Sequence, residues 1–242
     1  MSPIKAVIFD FGGVLCFHPT AEQIAQAAQT ARVSVADFER ALWTNRLEYD
    51  AGRIEPGAYW QEVAELAGSP IENAGRALEH LDVEFWSRFD ERMLAWVRLL
   101  RGHGIATAVL SNLPRPLGEA LKRSGASPLR ADGSNERAGF LEHFDHVTFS
   151  YELGLVKPER AIYEHAIGGL GVSGGEALFL DDRPRNIEGA IHAGLQAVLY
   201  TNWEEFVACD SAGRFGLPLP QTNDLVSNSP QDGARGLLTR LQ

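Results

Sequence analysis

Cysteine is scarce. Only Cys16 and Cys209 occur, too few for a disulfide framework, so a reducing, cytoplasmic setting is expected. No run approaches the ~20 consecutive apolar residues that a membrane span requires. The opening Met1-Ser2-Pro3-Ile4-Lys5 has neither the basic leader, the apolar region nor the small-residue cleavage site of a signal peptide. Positive charge is also in deficit: 22 Lys and Arg face 32 Asp and Glu, for a formal net charge of −10 spread along the chain. Neither nucleic acid nor a membrane is therefore expected as a partner. What is present is an ordinary globular composition, 45% hydrophobic and 22% charged, in 242 residues. That length accommodates one main domain and a smaller inserted one.

Short β-rich apolar runs recur at Ile4–Phe9, Ile105–Leu110, His146–Phe149, Ala177–Leu180 and Gly194–Tyr200. Helical patterns follow at about Arg115–Arg123, Glu159–Ile167 and Asn186–His192, so the chain is expected to be α/β with a mostly parallel sheet. About a hundred residues separate Asp10 from Ser111, far more than a single crossover needs. That stretch is mostly helical in pattern, at Glu22–Arg32, Val35–Leu42, Tyr59–Leu66 and Met93–Leu100. The expected organisation is an α/β core from residues 1–17 and 89–242 and a helical domain at residues 18–88. Ser124–Gly139, rich in Gly, Ser, Pro and Arg, reads as an exposed loop, and the tail after Trp203 has no assigned fold.

Four apolar segments end in polar residues suited to phosphoryl transfer. The first three deliver Asp10, then Ser111-Asn112, then, from a segment ending near Val156, Lys157; the fourth delivers Asp181-Asp182. In open α/β sheets ligands bind at the carboxyl ends of strands, which would bring these residues together. Asp10 has the form of a nucleophilic carboxylate. Ser111 and nearby backbone amides could hold phosphate oxygens. Lys157-Pro158 precedes a helix, with the proline expected in its first turn. Adjacent carboxylates at Asp181-Asp182 repel one another unless a cation shares them, and Mg²⁺ suits oxygen ligands beside a phosphate. Taken singly, each has an ordinary structural alternative, such as a capping aspartate, a Ser turn or a solvated lysine.

In combination, the segments IFDFGGVL, LSN, VKP with YEHAI, and FLDDRPRNIEGAIHAG resemble the haloacid dehalogenase-like hydrolase superfamily, mostly phosphatases, over residues 4 to 200. The start DFGGVL and the segment EYDAGRIEPGAYW look most like the branch containing sugar-phosphate phosphatases and the N-terminal domain of soluble epoxide hydrolase. The resemblance implies a Rossmann-like three-layer α/β/α core, with the helical insertion as a cap. It implies a small phosphorylated substrate and a Mg²⁺ cofactor. Asp10 would be nucleophile and metal ligand, Ser111 and Asn112 would bind the phosphoryl group, and Lys157 would neutralise it. Asp182 and the Gly12 carbonyl would complete the metal site, with Asp181 and Asn186 acting through water or as supporting contacts.

One position departs from the pattern. The family's phosphatases usually carry an acid-base aspartate where this chain has Gly12. General acid-base catalysis contributes about 10²–10⁴-fold, so leaving groups that depart as anions are expected to be favoured, unless His18, Arg46 or Tyr49 supplies a proton. Arg183 and Arg185 are expected to pair with neighbouring carboxylates, and Trp43, Tyr49, Tyr59 and Trp60 either to shape a pocket or to be core. Two alternatives stand beside the phosphatase: a metal-independent 2-haloacid dehalogenase, and a binding or regulatory protein that has lost turnover.

Overall fold

The computed structural model describes residues 3–71, 74–123 and 139–219. In chain order its elements are strand β1 (Ala6–Phe9), helices α1 (Ala21–Ala31), α2 (Val35–Thr44), α3 (Arg46–Asp50), α4 (Pro56–Ala67), α5 (Ala74–Phe85) and α6 (Glu91–Gly102), and strand β2 (Ala106–Ser111). Helix α7 (Arg115–Arg123), β3 (His146–Phe149), α8 (Ser150–Leu153), α9 (Arg160–Leu170), β4 (Ala177–Asp181), α10 (Pro184–His192), β5 (Gln196–Leu199) and α11 (Trp203–Ala208) follow.

All strand pairings are parallel, in the order β3-β2-β1-β4-β5. The period-2 alternation of strand side chains divides the core into two layers. Val7, Phe9, Val109, Leu178 and Leu180 face α6 through Trp96 and Val97, whereas Ile8, Ala108, Leu110 and Phe179 face α9 and α10 through Ile162, Tyr163 and Ala190. This is the expected α/β sandwich, buried on both faces as parallel sheets require. Chain direction away from β1 reverses between β2 and β4, which places a crevice at the carboxyl ends of β1 and β4.

Helices α1 to α5 lie between β1 and β2, as their spacing predicts. Local signals set their starts: Thr20 and Gln23 form a capping box for α1, Ser34 caps α2, and Pro56 opens α4. Their apolar faces join the same buried cluster as the α6 side of the sheet, through Phe38, Trp60, Leu78 and Phe85. Tyr49, Tyr59 and Trp60 belong to this interior, with the two tyrosine rings stacked at 4.0 Å. Of the four aromatics singled out from the sequence, only Trp43 lines the cavity described below.

Two local expectations need correction, and one unassigned segment gains a place. Lys157 does not follow a strand directly, because β3 ends at Phe149 and α8 intervenes. Pro158 is not in the first turn of the following helix, which begins at Arg160 with Glu159 as its cap residue; the Lys157-Pro158 bond is cis. The chain after Trp203 is partly ordered onto the core: Phe206 packs edge-on against Trp96, whose indole N–H donates to the Pro218 carbonyl at 2.7 Å. Of the expected loop Ser124–Gly139 all but Gly139, and the tail beyond residue 219, lie outside the described residues. Among the described residues no helix is long and apolar enough to cross a membrane.

Candidate active site

Three neighbouring strands end in the polar residues expected from the sequence. The Asp10 amide donates to Leu180 O at 2.9 Å just beyond β1, Ser111 closes β2, and Asp181 closes β4. Lys157 lies between them and is only 1% exposed. Its ammonium has three acceptors: Asp10 Oδ1 at 2.7 Å, Asp181 Oδ2 at 2.7 Å and Leu110 O at 3.1 Å. Because an ammonium carries three donors, the lysine is fully satisfied and fixed in direction. Burial alone would lower its pKa, but Asp10 and Asp181 hold it above the ordinary value, so it stays charged.

Asn112 lines the cavity and also holds the lysine loop. Its Oδ1 accepts from Lys157 N at 2.8 Å, and its Nδ2 donates to Lys157 O at 3.1 Å. The side chain grips the backbone of the lysine loop, which locates Lys157 against β2. The buried Ser111 hydroxyl faces the cavity.

Asp181 is fully enclosed. Besides Lys157, it accepts from Arg183 N at 2.8 Å and, on both oxygens, from Asn186 Nδ2 at 3.0 Å. Asn186 therefore supports the acidic loop as expected, and its own carbonyl accepts from Tyr163 at 2.8 Å. Asp182 is less enclosed: its Oδ2 meets His18 Nε2 at 2.8 Å, while Oδ1 is buried without a partner. The close approach of the loops after β1 and β4 requires a glycine at Gly13. Its φ is +80°, and a Cβ there would lie 2.5 Å from Asp182 Oδ2 and 2.7 Å from His18 Nε2.

Carboxylate oxygens of Asp10, Asp181 and Asp182 lie within 4.8 Å of one another. One buried ammonium serves the two buried carboxylates, and the less enclosed Asp182 meets His18. Burial pushes the Asp10 carboxyl well above its usual range, and the charges of Asp181 and Asp182 reinforce this against the pull of Lys157. A divalent cation fits these residues on two observations: the excess of buried negative charge, and the orphaned Asp182 Oδ1. Both contacts of Asp10 with protein donors, from Lys157 and from Phe11 N at 2.7 Å, fall on Oδ1.

Asp10, Ser111, Asn112, Lys157 and Asn186 line one cavity of about 410 Å³ that also reaches the inserted helices. Arg46 faces it but cannot act as an acid. Its Nε and Nη1 bind Asp50 Oδ1 and Asp82 Oδ1, each at 2.8 Å, and both carboxylates raise its pKa further. Tyr49 is outside the cavity, its hydroxyl accepting from Trp60 Nε1 at 3.3 Å, and its pKa is raised by burial. The expected pairing of Arg183 and Arg185 is absent: both line the cavity, and neither guanidinium has a carboxylate within salt-bridge distance among the described residues.

The Arg46 cluster ties α3 to α5 and carries a stability prediction. Arg46→Ala leaves Asp50 and Asp82 buried without their cation, and should cost about 3–5 kcal/mol at neutral pH in urea unfolding. Burial raises the Asp50 carboxyl, which therefore binds its proton more tightly folded than unfolded, so the variant should regain stability as pH falls from neutrality toward the unfolded value near 3.8. A cost below about 1 kcal/mol would show that the cluster is hydrated and inessential.

Sequence reasoning missed two features of the site. Trp86, just past α5, packs over Gly12, and the amide of Asn112 holds the Lys157 backbone. Neither has a local signal, since each pairing spans tens of residues.

Comparisons with known proteins identify the family and the fold. The family profile described as haloacid dehalogenase-like hydrolase matches residues 4–194. The sesquiterpene phosphatase astK of Aspergillus oryzae is 26% identical over 200 residues, covering 82% of this chain and 90% of that protein. The (S)-2-haloacid dehalogenase 1 of a Pseudomonas species is 29% identical, covering 82% and 85% respectively. A HAD-like family hydrolase of Porphyromonas gingivalis superimposes with a TM-score of 0.67 at 23% identity, covering 87% of this chain and 97% of that one. The enzyme bt-2542 of Bacteroides thetaiotaomicron, solved with magnesium and inorganic phosphate, does so with a TM-score of 0.62 at 21% identity, covering 84% and 98%. The chain belongs to the haloacid dehalogenase-like hydrolases, as an enzyme of their phosphatase type.

Proposed function

We propose that this chain is a Mg²⁺-dependent phosphomonoesterase that hydrolyses a small phosphorylated metabolite through an aspartyl phosphate on Asp10. The observation that carries the reading is the carboxylate cluster at the strand ends, where oxygens of Asp10, Asp181 and Asp182 gather within 4.8 Å of one another beside the single buried ammonium of Lys157. Asp10 Oδ2, free of protein donors, is the attacking atom. Lys157 neutralises the nucleophile and the phosphoryl oxygens, and Asn112 positions it. The Ser111 hydroxyl donates to a phosphoryl oxygen. Asp10, Asp182 and the Gly12 carbonyl would hold the metal, with Asp181 and Asn186 supporting the loop. When bound, Mg²⁺ supplies charge neutralisation to the phosphoryl group and its oxygens. The helices of residues 18–88 act as a cap domain over the α/β core of 1–17 and 89–242, and the cavity between them takes the remainder of the substrate.

Hydrolysis of p-nitrophenyl phosphate should require Mg²⁺, stop with EDTA and return on readdition. Because the Asp10 carboxyl sits above its usual range without the cation, metal uptake should release protons, and apparent Mg²⁺ affinity should rise with pH through that range. Calorimetric titration in two buffers of different ionisation enthalpy reads the release. Halide release from a 2-haloacid, insensitive to EDTA, would favour instead the metal-independent dehalogenase, which shares Asp10 as nucleophile and has a named relative. Metal and phosphate binding without turnover on any ester would identify a binding protein.

A further inference from the structure

Gly12 and Trp86 occupy one space. A Cβ on Gly12 would lie 2.7 Å from Trp86 Cζ3 and 3.3 Å from Cη2, so the benzo edge of the indole fills the volume that any side chain at this position would enter. The backbone does not impose the glycine, since no positive φ is recorded here. The ring does. Trp86 is 9% exposed, packs edge-to-face with His18 at 5.9 Å and lines the same cavity as Asp10. Trp43, Leu47, Leu113 and Leu117 add apolar surface to that cavity.

We propose that Trp86 is the specificity-determining residue of this site. It replaces an ionisable side chain beside the nucleophile with an aromatic wall, and thereby selects phosphate monoesters of planar, apolar alcohols that depart as anions, aryl esters above all. The inference rests on the phosphomonoesterase reading. A phosphoryl group seated at Asp10 directs its leaving group into the remainder of the cavity, which His18, Arg46, Asp50, Arg183 and Arg185 line together with leucines and two indoles, and the Trp86 ring there favours a flat apolar group. No proton donor stands at Gly12, and none is required for an aryl ester. Asp10 Oδ2 forms a bond to phosphorus, the phosphorus–oxygen bond to the aryl group breaks, and its electron pair leaves on the aryl oxide. Water then attacks phosphorus, the bond to Asp10 breaks with its electron pair returning to the carboxylate, and both water protons stay on the released phosphate. That phosphate passes one of them to the aryl oxide, so the atoms and charges balance without a protein acid.

The test uses turnover and binding. Wild-type kcat/KM should fall at least about a hundredfold from p-nitrophenyl to n-propyl phosphate, the amount general acid catalysis commonly supplies. Phenylphosphonate should bind at least about tenfold more tightly than methylphosphonate, and Trp86→Ala should erase that ratio while Trp86→Phe retains most of it. Gly12→Asp alone should be destabilised and lose activity. In the Trp86→Ala background the same substitution should recover stability and raise propyl phosphate hydrolysis by about a hundredfold. Equal phosphonate affinities, a ratio unchanged in Trp86→Ala, or a stable Gly12→Asp that gains alkyl activity with Trp86 in place would each overturn the proposal. Failure of the phosphomonoesterase reading looks different: wild type would hydrolyse neither ester with Mg²⁺, while the phosphonate ratio and the stability cycle would still decide the role of Trp86.

Discussion

Asp10→Asn should remove turnover without unfolding the protein. The substitution preserves shape and discards the nucleophilic carboxylate, and loss of a covalent nucleophile lowers kcat by as much as about 10⁶-fold in well-studied hydrolases. Stability should hold or rise. The native site pushes the Asp10 carboxyl upward because burial and its acidic neighbours disfavour the charge, and a neutral amide removes that conflict. Steady-state assays with p-nitrophenyl phosphate, paired with urea unfolding, read both effects. The phosphoenzyme supplies a third measurement: acid-quenched wild type should carry a phosphoryl group on the peptide containing Asp10, and the variant none. Activity above about 1% of wild type in Asp10→Asn would rule out covalent attack by this residue.

Lys157→Met should damage activity and stability together. The lysine is enclosed, and its three acceptors include two carboxylates at 2.7 Å. Removing one member of a buried ion pair typically costs about 3–5 kcal/mol, because the stranded charge is not rehydrated. Here two carboxylates are stranded. Without the ammonium, the Asp10 carboxyl, already raised by burial, rises further above its unfolded value, so the loss is greatest at neutral pH and lessens as pH falls toward about 4. Millimolar Mg²⁺ should restore part of the stability, since a cation bound only to the folded state stabilises by mass action. Turnover should remain at least about 10²–10³-fold down with the metal present, comparable to deletion of a preorganised donor at a developing charge. A variant with wild-type unfolding behaviour would show that water replaces the ammonium.

The two predictions draw on different kinds of legibility. The strand ends were readable because short β-rich runs closed by polar residues impose a local pattern, and parallel topology converts it into proximity. Asp10, Ser111, Asp181 and Asp182 emerged in that way. Lys157 is legible as a candidate, and the structure brings it beside Asp10, but its route there through α8 is not legible, because a helix of four residues carries almost no periodic signal. The function of Asn112 was hidden for another reason. An amide beside a phosphate site and an amide gripping a distant backbone look identical in sequence, and the partner lies 45 residues away. Arg46 was read as a possible proton donor because Asp82, 36 residues distant, gives no sign of its pairing. Gly12 was visible as a departure, yet its cause lay in Trp86, a packing relation that only the folded chain expresses.

The apolar cluster that runs without interruption from the sheet through Phe11 and Phe85 into the inserted helices has a mechanical consequence. Swinging those helices away from the sheet as a rigid lid would expose part of that shared interior to water. Each 100 Å² so exposed costs about 2.5 kcal/mol, enough to make wide opening a rare excursion. Admission of a substrate would then rest on local motions of side chains that line the cavity, Trp43, Arg183 and Arg185 among them.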